Sequence, residues 1–347
     1  MEQHERLFEK IVSAEALFSA WDRFKKGKRN KLDVLRFEKE LEKNIFKLQR
    51  DLRDKTYRHQ EYAGFRITDP KLREISKATV RDRVLHHVVF AVLNPIFEPS
   101  FIATSFSCRI GKGAHKGVEA IAKMLRSESR NNTRTCYALK CDVRKFFDSV
   151  DHGVLLEILE RRIVDRDVMW LMREIVGSFA VGQSHLKHAG IPIGNLTSQL
   201  FANIYMNEFD QFMKHALRVK HYARYTDDFI IVSRDKGYLE ALIPQIEEFL
   251  GERLELVLHP NKIDIRKYGQ GVDFLGYVVL PHCILPRART KSRIFRKLES
   301  RVREHKQGQM GKDRLEASLR SYLGVLSHAN AYKLGRDLKN KFWFWLG

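Results

Sequence analysis

The feature that most constrains this chain is a pair of adjacent carboxylates inside a β-forming run. The segment reads Tyr222-Ala-Arg-Tyr-Thr-Asp-Asp-Phe-Ile-Ile-Val232, with Asp227 and Asp228 at its centre. This pattern predicts two short strands joined by a tight turn, with the acids at its tip. Because side chains alternate along a strand, the two acids share a face only if the turn twists them. Two negative charges at one turn are costly without a compensating cation, so the hairpin is a candidate metal site.

The charge balance predicts a polyanionic partner. The chain has 347 residues, with 63 Lys and Arg against 43 Asp and Glu, a formal charge of +20. Nucleic acid is the simplest such partner, and a membrane surface is the competing interpretation. No apolar stretch approaches the length of a membrane span and no signal peptide opens the chain, which predicts a soluble, cytoplasmic protein without membrane contact. The four scattered cysteines indicate reduced thiols rather than disulfides or a zinc cluster.

The basic charge is concentrated near the end of the chain. Residues 283–347 contain 16 Lys or Arg and 5 Asp or Glu, more than half of the total excess. Few acids are available there for pairing along a helix, so we expect contacts with a phosphate backbone. A solvated helix face is the alternative. The candidate nucleic-acid-binding residues in this segment are Arg287, Arg289, Arg293 and Arg296.

The periodicity along the chain predicts alternating helical and strand segments. Helices are predicted over residues 1–60, 80–93 (ended by Asn94-Pro95), 118–125, 151–163, 167–180, 193–218 and 239–250. Strands are predicted over residues 62–75 in short pieces, 137–143, 254–258, 263–267 and 273–279, with a turn or strand at 184–188. Runs of antiparallel strand among helices indicate an α+β core with appended helical segments.

A third carboxylate is needed because two aspartates alone hold two divalent ions poorly. The best candidate is Asp142, at the end of the apolar strand Cys136-Tyr-Ala-Leu-Lys-Cys-Asp142. An ionisable group where a buried strand emerges is a typical functional position. Mg²⁺ prefers oxygen ligands, and two such ions serve phosphoryl transfer. Structural ion pairs with Arg144 or Arg224 are the alternative for these acids.

Several motifs resemble those of reverse transcriptases, in the same order. These are Leu139-Lys-Cys-Asp-Val-Arg-Lys-Phe-Phe-Asp-Ser-Val-Asp-His152, Gly190-Ile-Pro-Ile-Gly-Asn-Leu-Thr-Ser-Gln199, Arg224-Tyr-Thr-Asp-Asp228, Leu256-Val-Leu-His-Pro-Asn-Lys262 and Phe274-Leu-Gly-Tyr277. Upstream, Arg81-Asp-Arg-Val84 and Ser105-Phe-Ser-Cys-Arg109 resemble the fingers blocks of prokaryotic retroelement enzymes. The form of the Gly194-Asn195 turn is most similar to enzymes of diversity-generating retroelements and related bacterial lineages, some of them defence-associated.

The resemblance implies a right-hand polymerase fold with fingers, a palm holding an antiparallel sheet, and a helical thumb. Its implied organisation is an N-terminal helical extension over 1–60, a fingers and palm core over 61–282 and a basic helical thumb over 283–347. Phosphate contact by the thumb would position nucleic acid without reading sequence.

The resemblance also implies roles for individual residues. Asp142, Asp227 and Asp228 match the metal-binding triad, and the carbonyl of Val143 completes one metal's ligands. Phe147 matches the steric gate against a ribose 2′-hydroxyl, with an ordinary core phenylalanine as the alternative.

Further matches concern the phosphates and the template. Arg73 occupies the triphosphate-clamp position, with an ion pair to Glu74 or Asp69 as the alternative. Lys262 matches the lysine that protonates the leaving pyrophosphate, with an exposed lysine as the alternative. Gly194 lets the backbone approach the template base or incoming nucleotide closely.

Three other features complete the set of candidates. Gln199 is a substrate-binding candidate, although it and Ser198 could be plain polar residues at a helix start. Arg109 in the fingers block is a nucleic-acid-binding candidate. His86-His87 is interpreted as flanking a helix face without chemistry.

The implied function is an RNA-directed DNA polymerase that makes cDNA with two Mg²⁺ ions, with Mn²⁺ as a substitute. Its expected partners are an RNA template (a cognate non-coding RNA), dNTPs and the DNA product, together with an accessory protein or further copies of the chain. A bacterial retroelement or phage-defence system is the expected setting. The alternatives are a template-independent nucleotidyl polymerase of an abortive-infection system and an RNA-binding, maturase-like protein.

Overall fold

The computed structural model describes residues 6–68, 72–179 and 188–347. Helices form where apolar residues recur at helical spacing and a polar residue caps the start. Thr79 caps the helix that begins at Val80, because its side chain accepts a hydrogen bond from Asp82 N. In these ranges the helices are α1 (Leu7–Val12), α2 (Ala14–Phe24), α3 (Leu32–Lys39), α4 (Leu41–Arg53), α5 (Val80–Phe97), α6 (Ala114–Glu128), α7 (Phe146–Ser149), α8 (His152–Glu160), α9 (Arg166–Gly177), α10 (Leu196–Gln211), α11 (Lys236–Leu254), α12 (Ala288–Lys306), α13 (Lys312–Ser327) and α14 (Tyr332–Leu346).

The strands of the described residues form three antiparallel sheets. They are β1 (Ala63–Ile67), β2 (Arg73–Lys77), β3 (Tyr137–Asp142), β4 (His221–Tyr225), β5 (Asp228–Ser233), β6 (Asp264–Lys267), β7 (Val272–Phe274), β8 (Tyr277–Val279) and β9 (Ile284–Pro286). Strands β1 and β2 pair in one sheet, the second sheet has the order β4-β5-β3-β6, and the third has the order β7-β8-β9. Helices together with antiparallel sheets confirm the predicted α+β class.

The chain divides into two compact units. The first comprises Met1–Ala103, Val143–Arg218 and Pro244–Pro260, and the second comprises Thr104–Asp142, Val219–Ile243 and Asn261–Gly347. In the first unit, helices α2, α4 and α5 bury apolar side chains such as Trp21, Leu48 and Val89. The second unit contains the four-stranded sheet, the three-stranded sheet and helices α12–α14.

Two apolar clusters hold the second unit together. Helix α6 packs against the four-stranded sheet, and Ile121 and Leu125 share a cluster with Ala223, Ile230 and Val232. A separate cluster joins α12, α13 and α14 through buried residues that include Ile294, Leu298, Leu315, Leu338 and Phe342. The predicted helical character of the basic segment is therefore confirmed.

Several predicted boundaries are wrong, including the ends of α11, which runs from Lys236 to Leu254 instead of over 239–250. Helix α5 continues through Pro95 to Phe97, because the buried Phe97 side chain (2% exposed) keeps the last turn in place. Helix α6 begins at Ala114, four residues before the predicted start. The predicted helix 193–218 begins only at Leu196 as α10, and a π-helical turn, Phe212–Ala216, follows it.

The predicted strand at 254–258 is also wrong. Leu254 ends α11, and an isolated bridge between Leu258 and Val143 is the pairing observed for this segment in the described residues. Leu254, Leu256 and Leu258 are nevertheless buried and the residues between them, Glu255 and Val257, are exposed, which explains the alternating pattern. The predicted turn at 184–188 falls mostly outside the described residues.

Helices long and apolar enough to cross a bilayer are absent from the described part of the chain.

Candidate active site

The acidic motif forms the predicted hairpin, with Asp227 in a two-residue loop. Strand β4 ends at Tyr225 and β5 begins at Asp228, so Thr226 and Asp227 form the loop. Thr226 has a φ of 57°, a left-handed conformation that a β-branched residue rarely adopts. Its hydroxyl lies 2.6 Å from the Ser107 hydroxyl, and Arg224 Nη1 donates to its carbonyl at 2.9 Å. These contacts hold a strained turn in place next to the acids.

The strand register brings Asp142 to the same end of the sheet. Strand β3 pairs antiparallel with β5, and Asp142 at its end lies directly opposite Asp228. Asp142 is only 8% exposed. Directly opposed carboxylates on neighbouring strands repel each other. The fold thus places three acids from two distant parts of the sequence together, as the motifs implied.

The electrostatics reflect this crowding. Burial raises the pKa of Asp227 to about 6, and the negative charges of Asp228 and Asp142 add to the shift. Burial also raises the pKa of Asp228; Lys140 on β3 lowers it, while Asp142 raises it by repulsion and by a hydrogen bond. Both shifts arise because negative charge is concentrated where water is partly excluded.

Lys262 is the cation that contacts the triad. Its ammonium Nζ lies 2.6 Å from Asp142 Oδ1, with the lysine side chain 39% and the aspartate side chain 11% exposed. Lys262 is therefore not merely a solvated lysine. Arg144, one suggested structural partner of the acids, is exposed and makes no ion pair with any described residue. Arg224 is fully buried and donates to Ser105 Oγ as well as to the turn.

The carboxylate oxygens of the three acids suit a hard divalent cation, but their side chains are not arranged around a common metal position. Three neighbouring carboxylates offer the oxygen ligands that Mg²⁺ prefers, and a cation would relieve their mutual repulsion. Among the described residues, however, no group of three His, Cys, Asp or Glu side chains has an arrangement that could hold a metal ion. The Lys262 ammonium on Asp142 gives a physical reason, because it takes up one of the carboxylate oxygens.

Val143 and Phe147 follow Asp142 along the chain and belong to the first unit. Val143 is buried and bridges Leu258, which fixes the backbone just after the acid. The Phe147 ring is half-buried and lies edge-on to the buried Phe146 ring, with centroids 5.5 Å apart. The Phe147 carbonyl accepts a hydrogen bond from Ile191 N at 2.7 Å. The partial exposure argues against an ordinary core phenylalanine.

Arg73 is the first residue of β2 and is exposed. Glu74 pairs with Arg66 at 2.8 Å, so the alternative of an Arg73–Glu74 ion pair is not observed. Asp69, the other suggested partner, lies outside the described residues. The guanidinium of Arg73 makes no ion pair in the described structure.

Gly194 and Gln199 line one cavity in the first unit. Gly194 has a φ of 117°, and a Cβ there would lie 3.0 Å from Ile75 Cγ2. Glycine is needed both for its conformation and because β2 approaches closely. Gln199 is half-buried in α10, and Arg73 is not among the described residues that line this cavity.

The arginines proposed to contact nucleic acid differ in whether they already make hydrogen bonds or ion pairs within the protein. Arg109 donates to the Ser105 carbonyl at 2.9 Å, and Arg287 pairs with Asp273 at 2.6 Å. Arg289, Arg293 and Arg296 lie on α12 and make no ion pair with any described residue. These three guanidinium groups remain available to an anionic partner.

Two residues that support the site were missed by the sequence reasoning. Lys140 lowers the pKa of Asp228 from the neighbouring strand, and Ser107 braces Thr226. The sequence signal for Lys140 is a charged side chain inside the mostly apolar strand that ends at Asp142, because a charge in such a strand usually has a partner. Ser107 stands in the block that also contains Arg109, but its bond to the hairpin depends on tertiary structure.

Comparison with protein families gives one match that covers well over half of the chain. Residues 67–279 match the family described as "Reverse transcriptase (RNA-dependent DNA polymerase)". This range contains all of the motifs that carried the resemblance, and the basic segment from residue 283 onwards lies outside it.

Two similar curated proteins come from bacteria. Protein YkfC of Escherichia coli is 27% identical over 241 residues, 60% of this chain and 63% of that protein. The group II intron-encoded protein LtrA of Lactococcus lactis is 24% identical over 303 residues, 68% of this chain and 49% of that protein. The chain thus spans between about half and two thirds of the length of these relatives.

Among solved structures, the apo telomerase of Candida tropicalis is similar to this chain with a TM-score of 0.49 at 11% identity. The aligned region covers 65% of this chain and 54% of the telomerase chain.

Proposed function

The chain belongs to the reverse transcriptase family, and we propose that it is an RNA-directed DNA polymerase. The observation that carries this proposal is the meeting of Asp142, Asp227 and Asp228 at one end of the four-stranded sheet. Asp142 stands in one motif and Asp227 and Asp228 in another, and the pairing of β3 with β5 brings the two motifs together. Acids kept together despite their repulsion point to a role in chemistry rather than in stability.

Mg²⁺ is the proposed metal, held by the carboxylates of Asp142, Asp227 and Asp228 and by the Val143 carbonyl. When bound, such ions activate an attacking hydroxyl and stabilise the leaving oxygen in phosphoryl transfer. Mn²⁺, which also prefers oxygen ligands, is the expected substitute.

The chain's own residues bind and orient the reactants. In the proposed reaction the primer 3′-hydroxyl attacks the α-phosphorus of a dNTP, and pyrophosphate leaves. The exposed Arg73 guanidinium is suited to clamp the triphosphate, and the half-exposed Phe147 ring to exclude a 2′-hydroxyl. Lys262 is the proposed proton donor to pyrophosphate, and its contact with Asp142 keeps its ammonium beside the acids.

The proposed partners are an RNA template, dNTPs and the DNA product. The free Arg289, Arg293 and Arg296 of α12 would bind the phosphate backbone. The proposed setting is the bacterial cytoplasm, in a retroelement or phage-defence system of the kind that the Gly194-Asn195 motif resembles. A template repeat beside the gene would indicate sequence diversification, and a neighbouring non-coding RNA would indicate defence.

The direct test is primer extension by the purified full chain on a defined RNA template. We expect Mg²⁺-dependent DNA synthesis, and we expect Asp227→Asn to lower the rate by at least about a hundredfold, since one site carboxylate is lost. Asp264→Asn is the matched control: Asp264 lies in the same sheet, but its side chain is 45% exposed and pairs with Arg266, so its variant should retain full activity.

Two results would contradict the proposal. Synthesis that is equal with and without added RNA would indicate a template-independent polymerase. Absence of synthesis, together with tight RNA binding that Asp227→Asn leaves unchanged, would indicate a maturase-like RNA-binding protein.

A further inference from the structure

Helix α14 carries the most exposed aromatic side chains of the described residues. Tyr332 is 83%, Trp343 61% and Phe344 83% exposed. The other face of the helix is buried, because Leu338 and Phe342 belong to the cluster that joins α12, α13 and α14. Single exposed apolar residues are normal on a protein surface, but several large rings on one helix indicate a binding surface.

Two of these rings lie in line with two cations. In an α-helix, residues four, seven and eleven positions apart lie on one side of the helix. The exposed residues that follow this spacing are Tyr332, Arg336, Lys339 and Trp343, here called the α14 stripe. The aromatic rings are at the two ends of the stripe, about 16 Å apart along the helix axis, and the cations lie between them.

The charge of α14 is complementary to a polyanion. The helix has four Lys or Arg residues and one acid, Asp337. Within the part of the chain that the structure describes, Arg336 and Lys339 make no ion pair. Cations that are exposed and not paired within the protein favour an anionic partner, and nucleic acid and an anionic membrane surface both qualify.

The kind of apolar side chain on the exposed face favours nucleic acid over a membrane. A basic helix that lies on a membrane buries an apolar face in which leucines accompany the aromatic residues. On α14 the exposed apolar side chains are aromatic, whereas Leu334, Leu338 and Leu346 are buried or half-buried. Aromatic rings combined with cations are the usual means of binding an unpaired strand, because the rings stack on bases and the cations contact phosphates.

We infer that the α14 stripe binds an unpaired RNA strand, with bases stacked on Tyr332 and Trp343 and phosphates on Arg336 and Lys339. At about 3.4 Å per nucleotide of a base-stacked strand, roughly five nucleotides span the two rings. The inference rests on the proposed function in one respect: an RNA-directed polymerase is bound to an RNA that has unpaired segments outside the copied duplex.

The test separates base stacking from phosphate contact. Fluorescence anisotropy measures the affinity of the full chain for a labelled, unstructured RNA of about 12 nucleotides and for an abasic strand of the same length, which has phosphates but no bases. Excess unlabelled blunt RNA–DNA duplex fills the proposed polymerase site in both titrations. The wild-type chain should bind the RNA at least about tenfold more tightly than the abasic strand.

The two halves of the stripe should respond differently to substitution. The double variant Tyr332→Ala/Trp343→Ala should reduce the ratio of the two affinities to less than about threefold, because the stacking rings are lost. The double variant Arg336→Gln/Lys339→Gln should weaken binding of both strands and leave the ratio unchanged, because both strands carry the same phosphates.

Tyr238→Ala is the matched control, because Tyr238 is also an exposed tyrosine on a helix but lies on α11, outside the stripe. It should keep the wild-type ratio. Denaturant unfolding checks that each variant folds. Should the aromatic double variant not fold, Tyr332→Ala alone decides, with an expected ratio about threefold below that of the wild type.

Two results would overturn the inference: a wild-type ratio near one, and an undiminished ratio in the folded aromatic variant. In either case, phosphatidylserine vesicles and light scattering would show whether the stripe binds a membrane or a second copy of the chain instead. Single-stranded DNA of the same sequence, if bound more than about tenfold more tightly than the RNA, would assign the stripe to the DNA product and would also overturn the inference.

Primer extension by the wild-type chain, measured on the same preparation, separates these results from the proposed function. Extension without a base-dependent ratio would overturn the α14 stripe alone. The ratio without extension would overturn the polymerase proposal alone.

Discussion

Thr226 shows how a single residue can position a reactive carboxylate. Its left-handed backbone is unfavourable for a β-branched side chain, with strain of roughly 1–3 kcal/mol. The hydroxyl contact with Ser107 and the guanidinium of Arg224 on its carbonyl offset that strain. Because Asp227 is the next residue, the direction of its carboxylate depends on these contacts.

Thr226→Val should therefore weaken both stability and activity. The valine keeps the shape of threonine but loses the bond to Ser107, so we expect the free energy of unfolding to fall by about 1–2 kcal/mol. Denaturant unfolding and primer extension would measure the two effects. Thr133→Val should change neither, because Thr133 is exposed in a loop and its hydroxyl donates to the nearby Arg130 carbonyl rather than to a distant part of the described chain. Equal unfolding free energies for wild type and Thr226→Val would contradict this account of the turn.

The residues of the site could be identified from the sequence, but the contacts that join them could not. Asp227 and Asp228 stand in one contiguous motif whose turn is locally determined. The meeting with Asp142 depends on the register of β3 against β5, and the ion pair of Lys262 with Asp142 joins positions far apart in sequence. Such non-local contacts are set by tertiary packing, which no local pattern encodes.

At the scale of elements, helix α12 separates an apolar face from a basic one. Thr290, Ile294, Leu298 and Val302 are buried. Arg289, Arg293 and Arg296 follow the spacing of the opposite face and remain without ion pairs in the described structure. One face of α12 therefore packs in the apolar cluster with α13 and α14. The arginines of the other face are the groups proposed to contact phosphate.

Removing these cations should weaken binding to RNA–DNA duplexes without changing sequence preference. Each of Arg289→Gln, Arg293→Gln and Arg296→Gln should reduce the slope of log affinity against log salt by about 0.9. Lys306→Gln, in the last turn of the same helix, serves as a control for charge alone. Anisotropy titrations over a range of salt concentrations measure the slopes, and slopes identical to wild type in all three arginine variants would rule out this role.

Element boundaries were less predictable than element types, for two reasons. Pro95 was expected to end α5, yet burial of Phe97 outweighs the lost hydrogen bond. The alternating leucines at 254–258 have the burial pattern of a strand, but the pairing observed for them in the described residues is one isolated bridge and not the hydrogen bonds of a sheet. In both cases packing overrode a local signal that was read correctly.

At the scale of the whole molecule, the net charge of +20 is consistent with the proposed nucleic-acid partner. The interior of the first unit, by contrast, holds histidines that are kept neutral. Burial lowers the pKa of His87 to about 4, assisted by Lys28, Arg23 and Arg83. Burial also lowers the pKa of His86 well below its usual value.

These histidines should make folding weaken in mild acid. Their pKa values are lower in the folded chain than the unfolded value of about 6.5, so the unfolded chain binds more protons below that pH. The stabilisation is complete above about pH 6.5 and is lost as the pH falls towards 4, by roughly 1–3 kcal/mol. Denaturant unfolding across this range should give a smaller loss for His87→Gln. The raised pKa of Asp227 changes stability with the opposite sign in both proteins, so the loss must be compared between the wild type and His87→Gln. An equal loss of unfolding free energy in the two proteins would contradict the prediction.

The family prediction is confirmed by the match over residues 67–279. The family could be predicted from the sequence because several short motifs occur in a fixed order along one chain. The cavity that Gly194 and Gln199 line could not be predicted, since its wall combines segments separated by more than a hundred residues.

The most direct test of the central claim is a titration of Mn²⁺ followed by electron paramagnetic resonance, because it reports on the three acids without any nucleic acid. We predict that the wild-type chain binds Mn²⁺ in competition with Mg²⁺. Asp142→Asn, Asp227→Asn and Asp228→Asn should each weaken binding by at least about tenfold, whereas Asp264→Asn should not. Wild-type affinity in all three triad variants would show that these carboxylates do not act together on a divalent cation.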